Sequence, residues 1–165
     1  MKLEGRIEIA APARDVWAAV IDPESLAACV PGVQHVSRVD ERTFRGAVTA
    51  SVGPMEGQFE FTSTIEREEF PTDLQVEAVG TDSITHSPLR ANVGAWLESP
   101  AADRTVLAYR ANVTVGGRLA ILGEMVIRAT AAVMIGELVR CLRARLETAS
   151  AGGPTCADSP SGGPT

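Results

Sequence analysis

The side chains that could carry out acid–base or metal chemistry in this sequence are few and widely spaced. The two histidines, His35 and His86, stand far apart, with no cysteine or acidic neighbour at the spacing of a zinc site. The pair Gly116-Gly117 lacks the Lys-Ser/Thr that completes a phosphate-binding loop, and no Gly-x-Ser-x-Gly elbow occurs. The sequence therefore predicts no metal centre and no catalytic residue.

A few polar side chains could instead face an apolar interior. Ser63 and Tyr109 fall on the inward positions of their strands, and Glu137 lies near an apolar stripe of the last helix. Each also has an ordinary interpretation as a satisfied hydroxyl, a core tyrosine or a solvated glutamate. His86 lies in a polar loop, residues 81–88, that could form an entrance, although a surface histidine is the simpler interpretation.

The cysteines do not suggest a disulfide framework. Cys29, Cys141 and Cys156 are odd in number and widely separated. We therefore expect buried thiols at the first two positions and a thiol in the C-terminal segment at the third.

Charge and composition exclude several classes of protein. The net charge is −6 and lysine occurs once, so a nucleic-acid-binding protein is not expected. The N-terminus has no basic region followed by an apolar run, and no apolar stretch reaches the ~18 residues of a membrane span. A cytoplasmic location is the resulting expectation. Arg140, Arg143 and Arg145 are expected to complement the dipole of the last helix, with contact to anionic lipid or to a partner as the alternative.

The elements that position these side chains follow from periodicity. Residues 2–10 alternate as a half-buried strand, and helix-start signals follow at Pro12 and at Asp22-Pro23. Residues 33–115 alternate with period 2 between short turns, which is typical of an antiparallel sheet with one face in water. Residues 118–147 are predicted as one long helix, and residues 148–165 as a flexible Gly/Pro/Ser-rich tail.

This order predicts one α+β domain over residues 1–147. The domain contains a curved antiparallel sheet of about seven strands, with two short helices inserted after strand 1. The long C-terminal helix crosses the concave face of the sheet. Hydrophobic residues make up 45% of the chain but aromatic residues only 4%. Small residues recur at inward positions, so either the sheet curves strongly onto the helix or a ligand-filled cavity remains.

The cavity hypothesis identifies a set of candidate lining residues on the inward face of the strands and on one stripe of the helix. They are Phe44, Val48, Phe59, Phe61, Ser63, Val76, Val93, Ala95, Tyr109, Ala111, Leu122, Val126, Ala129 and Val133.

Several motifs, in order, resemble the CoxG family of carbon monoxide dehydrogenase subunits over roughly residues 1–147. They include Asp22-Pro23-Glu24-Ser25-Leu26, Cys29-Val30-Pro31-Gly32, Val52-Gly53-Pro54 and Val115-Gly116-Gly117-Arg118-Leu119. The resemblance implies the helix-grip fold of the START/polyketide-cyclase superfamily. It also implies a non-catalytic accessory protein of molybdenum hydroxylases of the carbon monoxide dehydrogenase type.

For the ligand, the resemblance implies a respiratory quinone, in particular menaquinone, which the protein would carry between enzyme and membrane. A quinone fits the residues, since apolar burial would drive binding and one or two donors suffice to orient its head. No covalent cofactor is expected, and peripheral contact with the inner face of the cell membrane is possible in this interpretation. Two alternatives stay open: a cyclase- or hydratase-type enzyme on the same fold, and a purely structural recruiter that binds its partner through Leu138, Leu142 and Leu146.

Overall fold

The computed structural model describes the backbone of residues 1–162 and the side chains of residues 1–147. Its strands are β1 (Lys2–Ile9), β2 (Val33–Arg38), β3 (Thr43–Val52), β4 (Met55–Glu69), β5 (Asp73–Asp82), β6 (Pro88–Ala101) and β7 (Arg104–Val115). Its helices are α1 (Ala13–Ile21), α2 (Pro23–Ala27), a 3-10 helix (Gly117–Leu122) and α3 (Glu124–Gly162). The seven strands form one sheet in the order β1-β7-β6-β5-β4-β3-β2, which confirms the predicted fold class.

The sheet follows directly from the alternation in the sequence. Strands β2 to β7 pair antiparallel with their neighbours along the chain, and β1 returns to pair with β7. The register shifts between Ile65 and Arg67 and again between Glu98 and Ala101. Such irregularities bend a strand, so they help to curve the long strands β4 and β6 around one face.

The two short helices begin where the sequence predicts. Pro12 and Pro23 stand at the two helix starts, where a missing backbone N–H costs nothing. The Asp22 side chain accepts a hydrogen bond from the backbone N–H of Glu24 at 3.2 Å and caps α2. Helix α1 buries Val16 and Trp17 against the sheet.

The C-terminal helical region differs from the single helix predicted to begin at residue 118. A 3-10 helix ends at Leu122, and Gly123 adopts a φ of 92° before α3 begins at Glu124. Only glycine adopts this backbone conformation readily. Because the conformation is not helical, it interrupts the helical hydrogen bonds at Gly123. Helix α3 continues past residue 147, where the predicted tail starts. The side chains of residues 148–165 lie outside the described residues, and the division into domain and tail stays a prediction.

The packed core occupies one end of the sheet, beside α1. Large side chains fill it: Ile9, Val16, Trp17, Phe44, Ile65, Leu74, Leu97 and Leu107. On α3, Leu142 is 2% exposed and Leu146 packs against this core. The stripe considered as a partner-binding surface is therefore largely turned inward, because this part of α3 covers the filled end of the sheet.

Arginines of α3 bind backbone carbonyl groups of other elements. Arg128 donates to the carbonyl of Lys2 at 2.7 Å, and Arg143 to that of Glu8 at 3.0 Å. Arg145 donates to the carbonyl of Ser25 at 2.9 Å. Arg143 and Arg145 thus attach the helix to the rest of the molecule, a role that the expectation of dipole or lipid contact did not include.

The expectation of free thiols at Cys29 and Cys141 is wrong in this structure, where the two cysteines form a disulfide. The bond joins the segment after α2 to α3 across 112 residues of sequence. Sequence spacing does not indicate it, because the two cysteines approach only once the whole sheet has folded between them. Cys156 lies outside the residues whose side chains are described.

Candidate functional site

An apolar cavity of about 280 Å³ lies between the sheet and the first part of α3. Its walls come from β3 to β7, the 3-10 helix and one face of α3. The lining residues are Met1, Val48, Ala50, Val52, Phe59, Phe61, Ala78, Gly80, Leu89, Val113, Val115, Leu119, Ile127, Thr130, Ala131 and Met134. We call this space the main cavity.

The main cavity exists because small residues face one another on adjacent strands. Ala50 pairs with Gly57 across β3 and β4, and Ala78 pairs with Ala91 across β5 and β6. An ideal Cβ on Gly57 would lie 2.7 Å from the ring of Phe59, so that ring lies over the glycine. The Phe59 ring therefore lies along the sheet and does not fill the space beneath α3.

The ring of Phe61 lies between two glycines of the neighbouring strands. Gly46 and Gly80 are its cross-strand partners, and a Cβ on Gly46 would lie 2.8 Å from the end of the ring. Phe61 also lines a second apolar cavity of about 140 Å³ beneath α1 and α2. The ring is thus shared by the main cavity and this second cavity, and it stands where they meet.

The main cavity offers almost no hydrogen-bonding chemistry. Among its described lining residues, Thr130 alone has a side-chain hydroxyl, and that hydroxyl donates to the carbonyl of Val126 at 3.1 Å. The lining contains no ionisable side chain within the described residues. A ligand buried there would contact hydrocarbon on nearly all sides.

A groove on the surface beside α3 adjoins the main cavity, and we call it the lateral cleft. Its sheet side consists of Pro31, Gly32 and residues 49–51, and its helix side of Ala129, Thr130, Val133 and Met134. Three of these residues, Ala50, Thr130 and Met134, line the main cavity as well. These three residues therefore form the wall between the cleft and the main cavity.

The loop between β5 and β6, considered as an entrance, is held closed by buried polar contacts. Asp82 and Ser87 are fully buried. The Asp82 carboxylate accepts hydrogen bonds from Thr85 and from the backbone N–H of Gln58 at 2.8 Å. Burial raises the pKa of Asp82, but these hydrogen bonds outweigh it and lower the pKa below its ordinary value.

The same polar chain continues to the 3-10 helix. The hydroxyls of Thr85 and Ser87 lie 2.7 Å apart, and the Ser87 hydroxyl accepts from the backbone N–H of Leu119 at 3.1 Å. His86, at the tip of this loop, has a φ of 61°. The network thus joins β4, the loop and the 3-10 helix into one unit at this end of the molecule.

The predicted lining residues fall into several places. Val48, Phe59 and Phe61 line the main cavity, whereas Phe44, Ser63 and Val76 line the second cavity together with Phe61. Ala129 and Val133 line the lateral cleft, where Val133 is 67% exposed. A last group lies outside these three spaces: Val93, Ala95, Tyr109, Ala111, Leu122 and Val126. Of these, Ala95 and Tyr109 belong to the packed core, and Glu137 on α3 pairs with Arg140.

The residues of α3 that face the main cavity are offset by one position along the chain from those of the predicted stripe. Ile127, Thr130, Ala131 and Met134 face inward at helical spacing. Apolar residues occur on all sides of this part of the helix, so their pattern did not indicate which side faces the sheet. Val113 and Val115 were also omitted, although the alternation of β7 marks them as inward.

A family model for CoxG, a carbon monoxide dehydrogenase subunit, matches residues 5–147 of the chain. No curated protein matches the chain significantly. Within the described part of the chain, no group of three or more His, Cys, Asp or Glu residues could hold a metal ion. Among the described residues, no helix combines the length and apolar character of a membrane span.

Several solved structures share the fold at low sequence identity. A conserved protein from Geobacillus kaustophilus is 17% identical, with 90% of this chain and 97% of that chain covered at a TM-score of 0.83. The ZhuI aromatase/cyclase from Streptomyces sp. R1128 is 13% identical, with 90% and 94% covered at 0.68. A START superfamily protein from Mycobacterium smegmatis is 16% identical, with 89% and 97% covered at 0.65.

Proposed function

The chain belongs to the CoxG family of carbon monoxide dehydrogenase subunits, and from this we propose that it is a non-catalytic carrier of an apolar ligand. The ligand we propose is a respiratory quinone such as menaquinone. The protein would carry it between the membrane quinone pool and a molybdenum hydroxylase of the carbon monoxide dehydrogenase type. We place this activity in the cytoplasm, with peripheral contact at the inner face of the membrane.

The observation that carries the proposal is the hydrocarbon lining of the main cavity. Each 100 Å² of apolar ligand surface that enters it would contribute about 2.5 kcal/mol to binding. The described lining has no ionisable side chain, and the amino group of Met1 donates to the carbonyl of Val113 at 3.0 Å. This favours a carrier over a cyclase or hydratase, which would need such groups beside the substrate.

The lateral cleft suits the head of a quinone better than the main cavity does. A quinone head has two carbonyl oxygens, which need hydrogen-bond donors or water when they are desolvated. Thr49 and Ser51 are the hydroxyl-bearing residues of β3 among those that line the cleft, which water can also reach. The isoprenoid chain would then run inward past Ala50 and Met134 into the main cavity.

The size of the main cavity supports a ligand that is only partly enclosed. Its volume of about 280 Å³ lies near the lower end of the ~300–1,000 Å³ range of ligand pockets. A long isoprenoid chain would need the cleft or the second cavity as well. Partial enclosure is suitable for a carrier, which has to release its ligand as well as bind it.

Native mass spectrometry of the gently purified full-length protein would test the proposal. We expect co-purified quinone or uptake of added menaquinone at one molecule per chain. Ala131→Trp places a large ring in the main cavity and should lower affinity at least about tenfold. Ala132→Trp, which adds the same ring at the next and exposed position, should leave affinity within about twofold.

Failure to bind any quinone, in protein shown to be folded by circular dichroism, would contradict the carrier function. Equal loss of binding in both tryptophan variants would also contradict it, because the effect would then come from general damage to α3. Turnover of a polyketide-like substrate by the wild-type chain would favour the enzyme alternative.

A further inference from the structure

The disulfide between Cys29 and Cys141 joins the two chain segments that contribute walls to the lateral cleft, although neither cysteine lines it. Cys29 precedes Pro31 and Gly32, which form the sheet side of the cleft. Cys141 follows Met134 on α3 by seven residues, or about 10 Å along the helix axis. The bond therefore ties the segment before Pro31 to α3 about two helical turns beyond the cleft.

Helix α3 is attached differently along its two sides. On the β1 side, Arg128 and Arg143 donate to backbone carbonyls of β1, and Glu147 accepts from the backbone N–H of Ala10 at 3.0 Å. On the cleft side, the described attachments are the disulfide and the hydrogen bond from Arg145 to Ser25. Opening the disulfide would thus leave α3 held along β1, with the hydrogen bond from Arg145 to Ser25 as the remaining described attachment on its cleft side.

The two sulfur atoms have different surroundings. Cys29 is 5% exposed, whereas Cys141 is partly exposed. The guanidinium of Arg145 lies 3.8 Å from the Cys29 sulfur. A cation beside a sulfur atom stabilises the thiolate that departs when a disulfide is attacked. Attack at Cys141 with departure of Cys29 is therefore the favoured course of reduction.

We propose that Cys29–Cys141 is a redox-active disulfide that sets the width of the lateral cleft and so controls entry and release of the apolar ligand. The proposal rests on the carrier function proposed above. Its co-reactant is a dithiol, either a small molecule or a thioredoxin-like protein.

The reduction balances in two exchange steps. A thiolate of the dithiol attacks the Cys141 sulfur, the bond between the two cysteines breaks, and Cys29 leaves as a thiolate beside Arg145. The second thiol of the reductant then attacks the mixed disulfide and releases Cys141. The protein gains two electrons and two protons, and the reductant becomes a disulfide.

The proposed cytoplasmic location supports a switch over a permanent cross-link. Reducing systems keep most thiols reduced in that compartment, and disulfides that do form there are usually transient and catalytic or redox-sensing. A permanent bond would be expected only if the chain worked in an oxidising compartment.

The first test compares rates of ligand exchange in the oxidised and reduced full-length protein. A Cys156→Ser background removes the third thiol and prevents exchange with it. The probe is the apolar fluorophore N-phenyl-naphthylamine, and stopped-flow fluorescence follows its uptake and release. We expect both rates to rise at least about tenfold on reduction, and equally in Cys29→Ser, while the equilibrium affinity changes much less.

The second test concerns the chemistry of reduction itself. Arg145→Ala removes the cation beside Cys29 and should slow reduction by dithiothreitol several-fold, measured by mass spectrometry of alkylated thiols. Arg143→Ala is the matched control, since Arg143 binds Glu8 on the opposite side of the helix. It should leave the rate of reduction unchanged.

The outcomes separate this proposal from the carrier function. Binding of the probe and of menaquinone with equal exchange rates in both redox states would overturn the switch and leave the carrier intact. Unfolding on reduction, in the wild type and in Cys29→Ser alike, would also overturn it by showing a structural bond only. Equal reduction rates in the two arginine variants would remove the assigned role of Arg145. Absence of any ligand binding would contradict the carrier function instead.

Discussion

At the scale of single residues, Phe61 decides how much room a ligand has. Its ring lies between Gly46 and Gly80 and separates the main cavity from the second cavity. A glycine on each side leaves the ring free of neighbouring Cβ atoms. The ring is therefore the part of the wall that could be removed with little disturbance of the backbone.

Phe61→Ala should join the two cavities and shift binding toward quinones with longer isoprenoid chains. Competition among quinones of increasing chain length, followed by native mass spectrometry, would measure the shift. Phe59→Ala is the matched control, because it enlarges the main cavity without opening the second. Each variant should lose about 3 kcal/mol of stability. Identical length preferences in the two variants would show that Phe61 is not a partition.

At the scale of elements, the loop between β5 and β6 holds the 3-10 helix in place through hydrogen bonds. The hydrogen bonds that lower the pKa of Asp82 favour its charged form in the folded state. Their contribution to stability is therefore complete above the ordinary carboxyl range, near pH 4 and higher. It is lost as pH falls through the lowered pKa of the folded state.

Asp82→Asn should cost about 2 kcal/mol at neutral pH, because the Asn side chain replaces a charged acceptor of several hydrogen bonds with a neutral one. The same variant should flatten the fall in stability on acidification. Urea unfolding between pH 3 and pH 7 would measure both effects. Asp103→Asn, at an exposed position between β6 and β7, is the control. Parallel pH profiles for wild type and Asp82→Asn would contradict the assignment.

The elements also show how much of the structure could be predicted from the sequence. Alternation predicted the sheet, and the proline and aspartate signals predicted α1 and α2, because each depends on neighbouring residues. The inward face of α3 was not predictable, since apolar residues such as Val126, Ile127 and Val133 surround it. Phe44 was correctly placed on the inward face, but only the folded sheet shows that it belongs to the filled end. The Cys29–Cys141 bond likewise depends on the complete fold.

At the scale of the whole molecule, one end is packed and the other is hollow. Trp17, Leu74 and Leu97 fill the end beside α1, while the main cavity underlies the first part of α3. An unfilled apolar cavity lowers stability, because its lining loses contacts that a ligand would restore. The first part of α3 should therefore be the least stable helical segment of the ligand-free protein.

Ligand should raise the stability of the whole molecule and protect that segment most. At a free ligand concentration of 100 times Kd, the gain is about 2.7 kcal/mol, or a rise in Tm of roughly 5–10 °C. Hydrogen exchange should slow most at residues 127–134 and least in β1, which contributes no residue to the lining. Uniform protection along the chain would contradict a ligand site beneath α3.

The contacts between α3 and β1 have a consequence for solubility at high concentration. Met1 and Val113 exchange both backbone hydrogen bonds, so the even-numbered residues of β1 point their backbone groups away from β7. Such a free edge is a template for pairing with a strand of another molecule. Arg128 and Arg143 occupy the carbonyls of Lys2 and Glu8 on this edge. The helix thereby guards the sheet against edge-to-edge aggregation.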